Sequence, residues 1–389
     1  STESAVSAEL EVAWRKNIGD KPSALVVAGG KLLVAGVDTH TVHALNANNG
    51  KNLWKYTADS RVDSPPTLSG ELAIFGSADG KAYCLSAEDG KLAWRFDAAP
   101  ERRLVTAFGQ LESPWPVPGS VLVHDGKCWL SAGRSSHLDG GIQFYSLDPS
   151  TGKVASRETI YNPDPETGKT PLEPNANVMA GVLNDIPGTD GANVFIRQMQ
   201  VASCDGAAGE HLYTSGGYLD PTWFNRTFWQ AGRAMTSGLM VLGKDVAYGV
   251  ELYDSRSRET VFAPGTKAYR LRCIPLKAPA RGQNFKPIKG SRQQGMKPLW
   301  EQRLGIRVTA MVRAADTIFV AGSPDVVDPK DPHGAWEGRK GGILAAFAAT
   351  DGKMLAEYKL PEPPVWDGMA AANGRLFIST SAGDIICME

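Results

Sequence analysis

The side chains best equipped for chemistry in this 389-residue chain sit in a few polar insertions. "ERRLVTAFGQLESPW" carries Arg102, Arg103, Glu112 and Trp115, and "AGRSSHLDGG" carries Arg134, His137 and Asp139. "ELYDSRSRE" carries Arg256, "DPHGAWEGRK" carries His333 and Trp336, and "VWDG" carries Trp366 and Asp367. Histidine and aspartate can pass a proton or ligate a metal, so His137, Asp139 and His333 are the candidate catalytic residues. Arginine offers a planar fork of donors to anionic groups, and tryptophan offers flat stacking faces. Arg102, Arg103, Trp115, Arg134, Arg256, Trp336, Trp366 and Asp367 are therefore the candidate contacts for a polar, sugar-like or anionic ligand. The plainer reading is that these charges pair with one another on solvated loops. No His-x-His or His-Glu-x-x-His spacing marks a metal centre. No metal residue is assigned, and a divalent metal is left open.

The elements that must hold these insertions announce themselves by repetition. Asn49-Gly50-Lys51, Asp89-Gly90-Lys91, Thr151-Gly152-Lys153 and Asp351-Gly352-Lys353 are four copies of one turn, and their glycines supply the positive φ that a tight hairpin needs. Short apolar strands precede each copy ("TVHALNA", "KAYCLSA", "IQFYSLDP", "ILAAFAA"). Another strand follows, carrying Trp54 or Trp94 in two copies, with Trp14 and Trp300 in similar strands. A second hairpin lies upstream of each unit, as in "LVVAGGKLLVAG" and "MAAANGRLFIST". One unit is thus four antiparallel strands in about 40 residues, the spacing of a propeller blade.

Units begin near Ser23, Ser64, Gly119, Val178, Ser237, Thr309 and Asp367, which makes seven. The last lacks its fourth strand and the first is preceded by a spare, "EVAWRKN", so the N-terminal strand is expected to complete the last blade and remove two sheet edges. The fold expected is all-β, a seven-bladed propeller of four-stranded antiparallel blades. It forms a single domain over residues 11–389, with 1–10 a flexible N-terminal segment. Eight blades is the rival count, because the fourth and fifth units are irregular.

In such a unit the A–B and C–D turns share one end, and here they are short. The B–C and D–A loops share the other end and hold nearly all the insertions. Loops on a rigid scaffold are where binding and chemistry concentrate, so that decorated face is where function is expected. Four histidines, His40, His137, His211 and His333, map to it, whereas His124 beside a short turn reads as structural. Cys84, Cys273 and Cys387 fall at one repeat position that Ala44 and Ser146 fill in other units, which reads as a place for a small buried side chain. "YLDPTWFNRTFWQAGR" is dense in aromatics and reads as core and inter-blade packing, with a stacking platform as the alternative. Lys+Arg 41 against Asp+Glu 42 lacks the basic excess of a nucleic-acid binder, and no apolar run is long enough to span a bilayer.

The "DGK..W" closing motif resembles the tryptophan-containing repeats of pyrroloquinoline-quinone-like (quinoprotein alcohol dehydrogenase-like) β-propellers along essentially the whole chain. "LESPWPVPGSVLV", "AGRSSHLDGGIQFYSLDP" and "VWDGMAAANGRLFIST" are similar to a branch common in secreted proteins of planctomycete-type bacteria. A quinoprotein dehydrogenase of that family would carry an eighth blade, an adjacent-cysteine disulfide and a Glu/Asn/Asp calcium site. This chain has no adjacent cysteines, so neither quinone-dependent redox activity nor a quinone cofactor is expected. One fold hosts many functions. The preferred expectation is a secreted or periplasmic propeller that binds a partner protein or polysaccharide-like ligand on its decorated face, resembling the outer-membrane assembly lipoprotein. The alternative is a polysaccharide lyase or hydrolase using His, Asp and Arg in the central funnel.

Overall fold

The computed structural model describes residues 2–19, 21–164, 166–169, 181–197, 199–207, 212–214, 229–231, 235–237, 239–251, 265, 269–276 and 297–389. Every regular element among them is a β-strand, and among these described residues no helix is long and apolar enough to cross a membrane. Six four-stranded antiparallel sheets stand among the described residues.

The chain divides into two compact units, residues 28–209 with 217–220, and residues 1–27, 210–216 and 221–389. In the first, strands Lys31–Gly36, Thr41–Asn46 and Asn52–Thr57 follow Pro22–Ala28, the strand in which the chain passes between units. Next come Thr67–Ser69, Leu72–Gly76, Lys81–Ser86 and Leu92–Asp97, then Leu122–His124, Lys127–Ala132, Ile142–Leu147 and Val154–Ile160. A three-stranded sheet, Gly188–Thr189, Asn193–Ile196 and Met199–Ser203, stands where the fourth repeat was expected. A detached two-stranded hairpin, Val105–Ala107 with Gln110–Glu112, lies in the insertion between the second and third sheets.

The second unit holds a three-stranded sheet, Leu212–Thr214, Trp229–Ala231 and Met235–Ser237. Two regular blades follow, Leu239–Leu242, Val246–Glu251, Tyr269–Pro275 and Trp300–Leu304, then Ile306–Ala314, Thr317–Pro324, Gly342–Ala348 and Met354–Leu360. In its last sheet Val12–Asn17 pairs with Asp384–Met388, which continues through Arg375–Thr380 to Pro364–Ala372, so the N-terminal strand supplies the missing fourth strand. Residues 2–10 lie against this unit. Thr2 donates to Arg313 O at 2.8 Å, Val6 and Leu10 are buried in an apolar cluster with Val312 and Leu376, and Tyr358 Oη donates to Ala8 O and accepts Leu10 N–H, both at 2.8 Å.

The two kinds of turn differ. The Asp125-Gly126 and Asn373-Gly374 connections have two consecutive positive φ values, 50° with 66° and 52° with 76°, the geometry of a type I′ hairpin. The glycine-lysine turns are longer, for Asn46 accepts Gly50 N–H at 2.8 Å and strand pairing resumes only at Asn52. Their glycine has a second duty. A Cβ on Gly90 would stand 2.7 Å from the Trp54 ring, one on Gly152 2.7 Å from Trp94, and one on Gly352 2.5 Å from Trp300. Each indole N–H donates into the same neighbouring turn, Trp54 to Ala87 O at 3.0 Å, Trp94 to Pro149 O at 2.9 Å and Trp300 to Ala349 O at 3.0 Å. The repeated tryptophan is thus a bolt from one sheet into the next.

Directly across the strand pair from each tryptophan stands a small residue: Ala44 opposite Trp54, Cys84 opposite Trp94, Cys273 opposite Trp300 and Cys387 opposite Trp14. The cysteines fill space left beside an indole. All five are free thiols, and burial pushes Cys84 and Cys128 up to about 12 and Cys273 and Cys387 up to about 11.

Candidate functional site

In the sheet ending at Asp97, the Ser69–Leu72 and Ser86–Leu92 turns lie at one end, so antiparallel order sends the chain out at the other. The insertion that follows is laid over the loop 77–80, with Ser113 N–H donating to Ala78 O at 2.8 Å and Val117 N–H to Ser77 O at 3.1 Å. That course buries Trp115 and brings it beside Asp139 of the next sheet, where its Nε1–H donates to Asp139 O at 2.9 Å. Asp139 has φ of 52° in the loop closing onto Gly140-Gly141, a left-handed conformation that aspartate tolerates better than most residues.

Arg103 and Arg134 both donate to the Asp139 carboxylate, one to each oxygen, and the Arg103 guanidinium lies 4.9 Å from the Trp115 ring centroid. Sequence positions 36 residues apart thus meet in one cluster. Both Asp139 oxygens are engaged by guanidiniums, so the group serves as an anchor for two cations. The Trp115 ring is buried under Arg103 and offers no free stacking face. Arg102 is exposed.

His137 lies two residues from Asp139 but turns toward Gly181, where a Cβ would stand 2.4 Å from its Nε2. His40 is fixed by Gln110, with Nε2 and Oε1 2.5 Å apart, and His124 Nε2 lies 3.1 Å from Gly191 O, in keeping with a structural role. Beneath the insertion, Arg61 pairs with buried Glu112. Asp63 accepts Gly119 N–H at 2.8 Å, and burial raises its carboxyl above the ordinary range.

His333 and Trp336 belong to the other unit, in the loop between Thr317–Pro324 and Gly342–Ala348. His333 is exposed, and its C=O accepts Glu337 N–H at 2.9 Å. Around it the loop is laced by Asp331–Arg339 at 2.5 Å, Lys340–Asp328 at 2.9 Å and an Arg339–Glu337 pair. The Arg307 guanidinium covers the Trp336 ring at 3.1 Å from its centroid. Trp366 is half-buried against the apolar core of Leu271 and Val320. Asp367 follows with φ of 54°. Asp367 is exposed, and desolvation pushes its carboxyl up to about 6. Arg256, His211 and most of "YLDPTWFNRTFWQAGR" lie outside the described residues. Among the described residues no group of three His, Cys, Asp or Glu side chains could hold a metal ion.

The charge-based reading of the insertions passed over their apolar residues. Leu104, Phe108 and Leu111 are 61%, 80% and 62% exposed, all on or beside the hairpin that Arg103 roots. The signal was present as "LVTAFGQLE", two short runs about a Phe-Gly turn.

Residues 4–244 match the family described as outer membrane protein assembly factor BamB. No curated protein matches the chain significantly. Among solved structures, BamB from Moraxella catarrhalis is 13% identical with a TM-score of 0.53, over 98% of this chain and 100% of that one. The quinohemoprotein alcohol dehydrogenase ADHIIG from Pseudomonas putida HK5 is 12% identical with a TM-score of 0.57, over 98% and 76%. The Comamonas testosteroni quinohemoprotein alcohol dehydrogenase is 13% identical with a TM-score of 0.53, over 100% and 78%. At such identities the structural likeness speaks for the fold, a β-propeller of pyrroloquinoline-quinone-like repeats.

Proposed function

The chain belongs to the family of the outer membrane protein assembly factor BamB, and from that premise we propose that it is a periplasmic or secreted propeller. Its seven blades, formed by residues 11–389, present the loop-decorated face to a partner protein. One observation carries this reading: the polar side chains gathered at the Asp139 cluster are spent on one another, while the apolar side chains beside them face solvent. A site built for a polysaccharide would leave donors and aromatic faces unfilled. Here Asp139 is held by two arginines, Trp115 is buried under Arg103, and Trp336 lies under Arg307. Large exposed apolar side chains beside charged ones mark surfaces that meet other proteins. The two histidines proposed for acid–base chemistry, His137 and His333, sit in different loops, each in its own local contacts.

The test is photo-crosslinking in the native envelope, with the crosslinker at Leu138 on the decorated side or at Asn48 in a glycine-lysine turn. A discrete protein adduct is expected from position 138 and none from 48. Equal adducts from both positions, or release of reducing ends when the purified protein is given polysaccharide, would defeat the reading.

A further inference from the structure

The second strand of the hairpin, Gln110–Glu112, is patterned inside out, while the first, Val105–Ala107, keeps its valine and alanine inward. Residues directly opposite in an antiparallel pair share a face, so Val105 with Glu112 and Ala107 with Gln110 turn toward the body, where Glu112 is buried. Thr106 with Leu111 takes the solvent face, and Leu104 continues it, all three exposed. A surface hairpin folding for its own stability puts leucine inward and glutamine outward; this one does the reverse. Its turn is Phe108-Gly109 with φ of 50° and 75°, which forces an aromatic residue into the left-handed region. The outcome is a phenylalanine 80% exposed at the tip, with the Arg61 guanidinium 4.1 Å from its ring centroid.

Among the described residues the hairpin is braced along one strand and open along the other. Gln110 is tied to His40 at 2.5 Å and to Asp38 O at 3.3 Å, Ser60 Oγ donates to Leu111 O at 3.3 Å, and Glu112 pairs with Arg61. The two-residue turn makes Ala107 and Gln110 the hydrogen-bonded pair. The next pair, Thr106 with Leu111, is then non-bonded, and the Thr106 N–H and C=O point outward. Among the described residues nothing meets them. An edge of this kind is what an extended chain pairs with. Arg102, Arg103 and Arg134 flank its root against Glu101 and Asp139, leaving one surplus positive charge.

We propose that this edge, residues Leu104–Ala107, receives an extended segment of the partner protein in which apolar and acidic residues alternate. The strand hydrogen-bonds to Thr106, seats its apolar side chains on Leu104, Leu111 and Phe108, and brings a carboxylate to Arg102. This deepens the protein-binding reading above and rests on it.

The probe is a fluorescein-labelled (Val-Glu)₄ peptide, followed by anisotropy against the purified full chain. Saturable binding is expected. It weakens at least about tenfold in the Leu104→Ser/Leu111→Ser variant, is lost when the peptide's alternate amides are N-methylated, and is lost with (Val-Lys)₄. Leu92→Ser, an exposed leucine on an outer strand, leaves it unchanged. The N-methylated peptide reads the backbone bonds without altering the protein, so a misfolded variant does not obscure the result. Absence of peptide binding, equal binding of the methylated peptide, or equal binding of the lysine peptide overturns the proposal. A Leu104/Leu111-dependent dimer in solution would assign the edge to a second copy, and recruitment to phosphatidylcholine/phosphatidylglycerol vesicles would assign it to lipid. Either result overturns it too. A position-138 crosslink without peptide binding would sink the edge and keep the broader reading.

Discussion

Replacing Gly90 by alanine isolates the contact that bolts one sheet to the next. The backbone there has φ of 71°, and placing an L-residue in the left-handed region costs ~1–2 kcal/mol. Position 126 has φ of 66° and nothing within 4 Å of a built Cβ, so Gly126→Ala measures that backbone cost alone. At Gly90 the new methyl would also stand 2.7–2.8 Å from three ring atoms of Trp54, where carbon atoms prefer about 3.5–4.0 Å. Trp54 cannot retreat freely, since it is buried and its indole N–H is held at 3.0 Å by Ala87 O. Overpacking of this kind costs ~1–3 kcal/mol, which brings Gly90→Ala to ~2–5 kcal/mol with the backbone cost of ~1–2 included. Trp54→Ala alone should lose ~3–5 kcal/mol. In that background the clash has no partner, and Gly90→Ala should fall back to ~1–2 kcal/mol. Urea unfolding of the four members of the cycle and of Gly126→Ala, followed by circular dichroism, gives these differences from midpoints at constant m. If Gly90→Ala costs the same with and without Trp54, or no more than Gly126→Ala, the tryptophan is not what demands glycine.

Three further outcomes are expected. Tyr358→Phe removes one hydroxyl that both accepts from Leu10 and donates to Ala8; the loss should be ~1–2 kcal/mol, read as a lowered melting temperature and faster amide exchange over residues 2–10. Ellman's reagent at pH 8 should titrate one thiol in the folded protein, that of half-buried Cys204, slowed by the desolvation that raises it too, and the remaining four only on unfolding, because burial raises Cys84, Cys128, Cys273 and Cys387 to about 11–12. The Asp367 carboxyl, at about 6 when folded against about 3.9 when unfolded, holds its proton more tightly in the native state. Stability therefore falls as pH rises between those two values. Asp367→Asn should raise the melting temperature at pH 7 and remove this group's share of the decline between about pH 4 and 6.

The blades were legible because their signals are local and repeated. Four copies of a glycine-lysine turn, flanked by short apolar runs, leave little freedom in strand order, and the spare "EVAWRKN" had one unfilled place to go. The same signals were under-read where their reason lies in the neighbouring sheet. Gly90 looks like a demand for positive φ, yet the ring of Trp54, 36 residues earlier, occupies the space its side chain would need. Cys84 looks like a small buried residue, which it is, but the cause is Trp94 directly across the strand. The candidate site suffered more, since a charged loop residue has no meaning apart from its partner. Nothing local distinguishes Arg102 from Arg103, and only the latter pairs with Asp139 and lies over Trp115. Attention to charge also hid the informative residues. Arg103, Glu112 and Gln110 brace the hairpin from beneath, and Leu104, Phe108 and Leu111 are what the bracing holds out to solvent. Apolar alternation is ordinarily read as pointing to the core. In the second hairpin strand the polar residues Gln110 and Glu112 have the inward contacts, so the same period of two puts Leu111 outside. That inversion becomes visible only once Glu112 is seen to be buried against Arg61.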